Sequence, residues 1–276
     1  MWATGFIVAR LIAPYAPPMW FLAIRFSLAG LVILATALVI QPPWPSRLQG
    51  MHGAIAGALM HGGYLVPAYW AIAHGMPAGV SALIMSIQPV VTALLAIWMA
   101  GERIRVLHWL GLVVGMAGVL LVVWPKLQLA GSAGITGATV AATLAGALSI
   151  SLGSVYQKRF ATGNHLVSGG VWQYAGAAAV ATTGALLTER FHFEITGVSL
   201  FALGWSVLVL SFGAISLYMF LIRHGEVSKV SSLMFLVPAV AAVMAYLLFG
   251  ETLTAIQALG MAICAGAVAL VSRRTV

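Results

Sequence analysis

Apolar residues run along this chain in long blocks, and polar residues collect between the blocks rather than alternating with them. A helix needs about 20 apolar residues to cross the hydrocarbon of a bilayer. Membrane strands would alternate at a period of two, which these blocks do not, so helices are predicted. The segments are 1–13, 17–40, 48–73, 77–100, 105–124, 132–157, 166–188, 197–222, 227–249 and 253–272. Turn formers punctuate them: Pro14, Pro17 and Pro18, then Gln41 to Pro45, Gly75 to Pro77, Gly101-Glu102 and Trp124-Pro125. The first segment is too short to cross a bilayer.

Internal repetition follows from the spacing. Pro89 and Pro238 lie 149 residues apart, as do Gly101-Glu102 and Gly250-Glu251, Tyr69 and Tyr218, Met85 and Met234, and Gly111 and Gly260. Upstream, an offset of 148 pairs Gly5 with Gly153, Arg10 with Lys158 and Ala29 with Ala177. The chain therefore divides into 1–127 and 128–276, with five segments in each. An odd number of spans per repeat places the two copies in opposite orientations. The prediction is an all-α membrane protein of about ten transmembrane helices in two inverted five-helix repeats. The partner of the first segment is 132–157, so a full counterpart would need a dozen or more residues ahead of Met1, roughly one further half-span.

Charge sets the orientation. With both termini cytoplasmic, the inner loops and tail carry Arg47, Arg103, Arg105, Lys158, Arg159, Arg223, Lys229, Arg273 and Arg274, nine of the thirteen basic residues. The outer loops carry Lys126 and Arg190, and Arg10 and Arg25 fall near the outer ends of their spans. Basic residues favour the cytoplasmic side, so this orientation is preferred.

Composition removes several classes of function. Charged residues make up 7% of the chain against 62% hydrophobic, too few to build a water-facing surface. The net charge of +8 is scattered in singles and pairs at span ends, with no basic face, so nucleic acid is not a partner. Aspartate is absent, which removes aspartyl-phosphate chemistry, and no GxxxxGK[ST] loop is present for ATP. Cys264 is the only cysteine, so no internal disulfide forms. No cofactor or metal is expected; the partners are a small-molecule substrate and the lipid bilayer, with the chain acting as a monomer.

A mid-span proline followed a dozen residues later by Gly-Glu occurs in both halves, in Gln88 to Glu102 and in Val237 to Glu251. Together with Pro17 to Phe26, these stretches resemble the EamA family of the drug/metabolite transporter superfamily. The resemblance implies an inner-membrane carrier, not an enzyme, that moves small organic solutes, often outward. Within that family the aromatic-rich spans look most like the aromatic amino-acid exporters.

Substrate sites in carriers built from inverted repeats lie near mid-membrane at the repeat interface. The candidates there are His61 and Tyr64; Ser86, Gln88 and Trp98; Ser151, Tyr156 and Gln157; Trp172, Gln173 and Tyr174; and Ser211, Ser216 and Tyr218. His61 is the only histidine well inside a span, where ionisable groups usually face a cavity, although a neutral imidazole can simply bond a neighbouring helix. Gln88 precedes Pro89 and could bind substrate or hold helices together. Tryptophans suit an aromatic solute but also populate membrane interfaces. Arg25 is expected to snorkel or to cap carbonyls near the outer face, with a substrate carboxylate as the alternative. Glu102 and Glu251 are read as structural, each at the positive end of the span that follows it. Pro89 and Pro238 are read as bends in mid-helix and as candidate hinges. Two alternatives remain: a passive facilitator, and an intramembrane hydrolase using the Gly79-Val-Ser81 stretch with a distant histidine.

The charge pattern makes a direct prediction. Reporter fusions after Arg47, Arg103 and Arg159 should read as cytoplasmic, and fusions near Lys126 and Arg190 as external. Reversal at two of these sites would rule out the inverted arrangement.

Overall fold

The structure, a computed structural model, describes residues 1–129, 134–249 and 253–272. Gly250, Glu251, Arg273 and Arg274 lie outside these, as do the side chains of Arg10 and Lys126. All regular structure among the described residues is helical. The helices are α1 (Thr4–Ile12), α2 (Pro18–Ile40), α3 (Arg47–Gly57), α4 (Gly63–Ala73), α5 (Ala78–Met85), α6 (Gln88–Ala100), α7 (Val106–Leu129), α8 (Gly137–Phe160), α9 (Leu166–Thr188), α10 (Gly197–Trp205), α11 (Ile215–His224), α12 (Val227–Ser232), α13 (Leu236–Phe249) and α14 (Ala255–Ser272). Among the described residues, six helical stretches are long and apolar enough to cross a membrane by length and composition.

Several starts are set locally. Ser46 with Gln49, Thr136 with Thr139 and Thr196 with Ser199 form reciprocal caps at the starts of α3, α8 and α10. Other caps come from far along the chain. Glu189 accepts hydrogen bonds from the amides of Met19 (3.0 Å) and Trp20 (3.1 Å), fixing the start of α2. Glu102 does not serve the helix that follows it, as its sequence position suggested. Its carboxylate accepts from Val227 N (2.7 Å) and from Ser228 Oγ (2.6 Å), and so caps α12. An anionic group at a helix N-terminus is favourable wherever it comes from in sequence.

Two long pairings carry the core, α2 against α9 and α7 against α14. The start of α9 follows that of α2 by 148 residues, and the start of α14 follows that of α7 by 149. The contacts between α7 and α14 are themselves paired. A Cβ on Gly111 would meet Val271 Cγ2 at 2.4 Å and Ala267 O at 3.3 Å. A Cβ on Gly260 would meet Gly118 O and Val122 N, both at 2.7 Å. Subtracting 149 turns 260, 267 and 271 into 111, 118 and 122, so each half presents the same surface to the other. That reciprocity defines a two-fold contact. Cys264, the counterpart of Gly115, lies at the crossing, its Sγ 3.8 Å from Gly115 O.

The spans are interrupted at matching places. A π-helical turn, Ala58–Gly62, separates α3 from α4, and a longer one, Ser206–Ala214, separates α10 from α11. Adding 149 to the first gives 207–211, inside the second. A break at Ser86-Ile87 separates α5 from α6, and a 3₁₀ turn, Leu233–Phe235, separates α12 from α13. This corrects the expectation that the prolines bend continuous helices: each instead follows a break. Pro89 is the second residue of α6, and Pro238 the third of α13. Proline lacks the amide a helix interior needs and crowds the preceding turn, but the first turn needs no such donor.

The glycine contacts predict an asymmetry in stability. Gly260→Ala would drive a methyl into backbone atoms that cannot turn aside, at about 1–3 kcal/mol. Gly111→Ala meets a valine side chain first and should cost less. Thermal unfolding of the purified variants would order them.

Candidate functional site

The two π-helical turns face each other across one cavity. A π-turn adds a residue to the helix, turns the following side chains to a new face, and recurs at functional positions. The first turn buries Met60, His61 and Gly62, with His61 3% exposed. The second buries Leu210 and Ser211. Between them lies a cavity of about 60 Å³ whose lining includes Arg25, Phe26, His61, Tyr64, Tyr174 and Ser211.

Ser211 holds this group together. Its Oγ accepts a hydrogen bond from Arg25 Nε (3.1 Å), and its carbonyl accepts one from the Tyr174 hydroxyl (2.7 Å). The His61 imidazole stacks on Tyr174, with ring centroids 5.4 Å apart and planes within 7°. Phe26 lies 6.3 Å from each of these rings, and the Arg25 guanidinium sits 5.6 Å over Phe26. Elements α2, α9 and both π-turns thus converge on one cation framed by aromatic rings. His61 Nε2 is buried with no hydrogen-bond partner.

Arg25 is 5% exposed and lines the cavity, which corrects the expectation that it snorkels or caps carbonyls near the outer face. No described carboxylate pairs with it. Glu102 and Glu189 cap helices, Glu194 contacts His192 and Glu226 contacts Lys229. The chain has no aspartate to take their place.

A second cavity of about 40 Å³ adjoins the first and shares Trp2, Tyr64 and Met85 with it. Ser86, Gln88, Met234 and Pro238 complete its lining, so both helix breaks reach it. The Gln88 amide donates to Thr92 Oγ1 (3.2 Å), and the Gln88 carbonyl accepts from Ser151 Oγ (3.1 Å). Tyr218 is buried beside this region, its hydroxyl 3.1 Å from Ser154 Oγ and its ring edge-on to Trp2 at 5.2 Å.

The structure thus brings His61, Tyr64, Ser86 and Gln88 to two adjoining cavities, with Tyr218 alongside. It separates five other candidates from them. Trp98 is 81% exposed near the end of α6, the position of an interfacial tryptophan. Trp172 packs its ring over Gly50, where α3 meets α9. Tyr156 bonds His52 Nδ1 (2.6 Å) and packs on Phe160. Gln157 and Gln173 bond each other (2.9 Å) beside a separate small cavity that includes Asn164, Met219 and Arg223, where they tie α8, α9 and α11 together. Polarity near mid-span did not distinguish residues that line a cavity from residues that join helices. Ser81 lines the same cavity as His61.

Phe26 and Tyr69 also line the first cavity, although sequence reasoning did not single them out as site residues. Tyr69 was visible as half of a repeated pair with Tyr218. Phe26 adjoins Arg25, the one basic residue well inside the second span.

Two stretches, residues 1–124 and 137–273, match the EamA-like transporter family. An uncharacterized inner membrane transporter of Escherichia coli K12, YedA, is 26% identical over 99% of this chain and 87% of its own length. An uncharacterized transporter of Bacillus subtilis, YvbV, is 27% identical over 100% and 89%. A probable amino-acid metabolite efflux pump of Salmonella typhimurium is 26% identical over 94% and 87%. A solved crystal structure has the same fold, with a TM-score of 0.78 at 20% identity over 98% of this chain and 92% of that one.

The hydrogen-bond geometry ranks two tyrosines. Tyr174→Phe leaves the Ser211 carbonyl without its buried partner and should cost about 1 kcal/mol of stability. Tyr156→Phe, whose hydroxyl bonds His52 away from the cavities, should stay within about 0.5 kcal/mol. Thermal unfolding would test the order.

Proposed function

The chain belongs to the EamA-like transporter family, and on that premise we propose that it exports small organic metabolites, amino acids including aromatic ones, across a bacterial-type inner membrane. It is a membrane transporter of small molecules; substrate, direction and mechanism are the proposal. The two halves, 1–127 and 128–276, form ten spans as inverted five-helix repeats, with both termini cytoplasmic. A substrate in the central cavities is exposed to one face at a time.

The observation that carries this reading is the convergence of four helix interruptions, equivalent in pairs, on two adjoining cavities. Irregular backbone within a bilayer is tolerated where it is buried in protein or lines a cavity. In carriers built from repeats, broken helices form the substrate site near the midplane. The reciprocal glycine contacts of α7 and α14 support an axis between the halves. The separate matches of the two stretches to one family support the repeat boundaries. Aromatic side chains in the cavity suit an aromatic solute.

The breaks at Ser86-Ile87 and at Leu233–Phe235 are the joints of this mechanism, each held open by the proline that follows. Because the repeats are inverted, one joint faces each side of the membrane. Uptake of labelled amino acids into proteoliposomes should saturate, and unlabelled substrate inside should accelerate it. Pro89→Ala and Pro238→Ala should each slow turnover at least about tenfold, a change of about 1.4 kcal/mol in the barrier, while changing substrate affinity less. Unsaturable flux without exchange would identify a passive facilitator. Unchanged turnover in both variants would remove the prolines from the mechanism.

A further inference from the structure

We propose that Arg25 is the receptor for a substrate carboxylate, and that the first cavity selects small monocarboxylates with an apolar or aromatic body. This rests on the transporter reading and names its substrate class. A guanidinium that is 5% exposed inside a membrane span needs an anion, because burying an unpaired charge is strongly unfavourable. Each described carboxylate is committed elsewhere, and aspartate is absent. Arg25 donates through Nε to Ser211, which orients the guanidinium. No described acceptor takes a bond from its terminal nitrogens, and these are the pair that grips a carboxylate side by side.

A second observation points the same way. His61 Nε2 is buried in the wall of the same cavity and has no partner. With its proton on Nε2, the neutral imidazole donates a further hydrogen bond to the anion. The stacking of His61 on Tyr174, and the bond of Tyr174 to Ser211, fix both donors to one frame. The remaining lining is dominated by aromatic and aliphatic groups, among them Phe26, Tyr69, Met60 and Leu65. Met85 stands between the two cavities, and its flexible thioether can yield to a substrate body that extends from one into the other.

Among the described residues the cavity is lined by no acid to pair with an ammonium group. The carboxylate is therefore the required group, and an amine on the substrate is accommodated only by aromatic faces. A substrate with the carboxylate and no amine should bind at least as well as the amino acid.

The test is a binding series on the full chain in detergent or nanodiscs, read by thermal stabilisation. The probes are 3-phenylpropionate, phenylalanine, 3-phenylpropionamide and phenethylamine. The expected result is that 3-phenylpropionate binds at least as tightly as phenylalanine and at least about tenfold more tightly than the amide or amine. Arg25→Gln should abolish that preference, and Arg25→Lys should restore part of it. Equal binding of the amide or amine by the unaltered protein would overturn the proposal, as would a preserved preference in folded Arg25→Gln. If a variant fails to fold, the ligand series on the unaltered protein decides alone. Flux separates the two readings. Carboxylate binding without transport would keep the site and sink the transporter proposal, whereas flux of amines without carboxylate binding would do the reverse.

Discussion

No solvent within a bilayer can lend a hydrogen bond to an interrupted helix, so every irregular stretch of backbone must be buried in protein or line a cavity. This constraint organises the molecule. The π-turns at Ala58–Gly62 and Ser206–Ala214, and the breaks ahead of Pro89 and Pro238, reach the same two adjoining cavities. A freed polar group there has neighbours to meet it: the Ser211 carbonyl takes the Tyr174 hydroxyl, and the Gln88 carbonyl takes Ser151. Irregularity is thus concentrated where the protein can compensate for it, and the same places are where a solute would be held.

The arrangement also explains how so few charges are used. The four described carboxylates serve helix starts or local pairs, and none of them pairs with the cation in the cavity. The start of α2 is fixed by Glu189, and the start of α12 by Glu102. Each of these contacts joins one half of the chain to the other. Arg159 likewise donates to the carbonyl of Met99 across the halves. The halves are therefore held by an apolar glycine crossing between α7 and α14 and by a few polar contacts nearer the ends of the spans. Polar contacts of that kind can be exchanged without dismantling the core.

Much of this was legible in the sequence, for identifiable reasons. Long apolar blocks announced the helices, and the offset of 149 between glycines and prolines matches the spacing of α14 from α7, because close crossings and helix starts restrict which residues fit. His61 and Gln88 stood out because polar groups are rare at that depth. The burial of Arg25 was not foreseen, since its distance from the end of the span allows either snorkelling or burial, and only the position of Ser211 decides between them. Trp98 and Trp172 were misassigned because depth along a helix says nothing about which face a side chain occupies. Gln157 and Gln173 show the same ambiguity: one amide can bind a solute or another amide. Glu102 was understood as a cap but given the wrong helix, because its partner lies 125 residues away.

Under the proposed mechanism the cavity between the halves opens to one side of the membrane at a time. Sided labelling of a single cysteine tests it most directly. Ser81 lines the first cavity and is 1% exposed. In a Cys264→Ala background, Ser81→Cys in oriented vesicles would be treated with a membrane-impermeant maleimide from each face. Alternating access predicts labelling that strongly favours one face, with the preference altered by Pro89→Ala and by Pro238→Ala in opposite directions. Equal labelling from both faces, unaffected by either substitution, would contradict it.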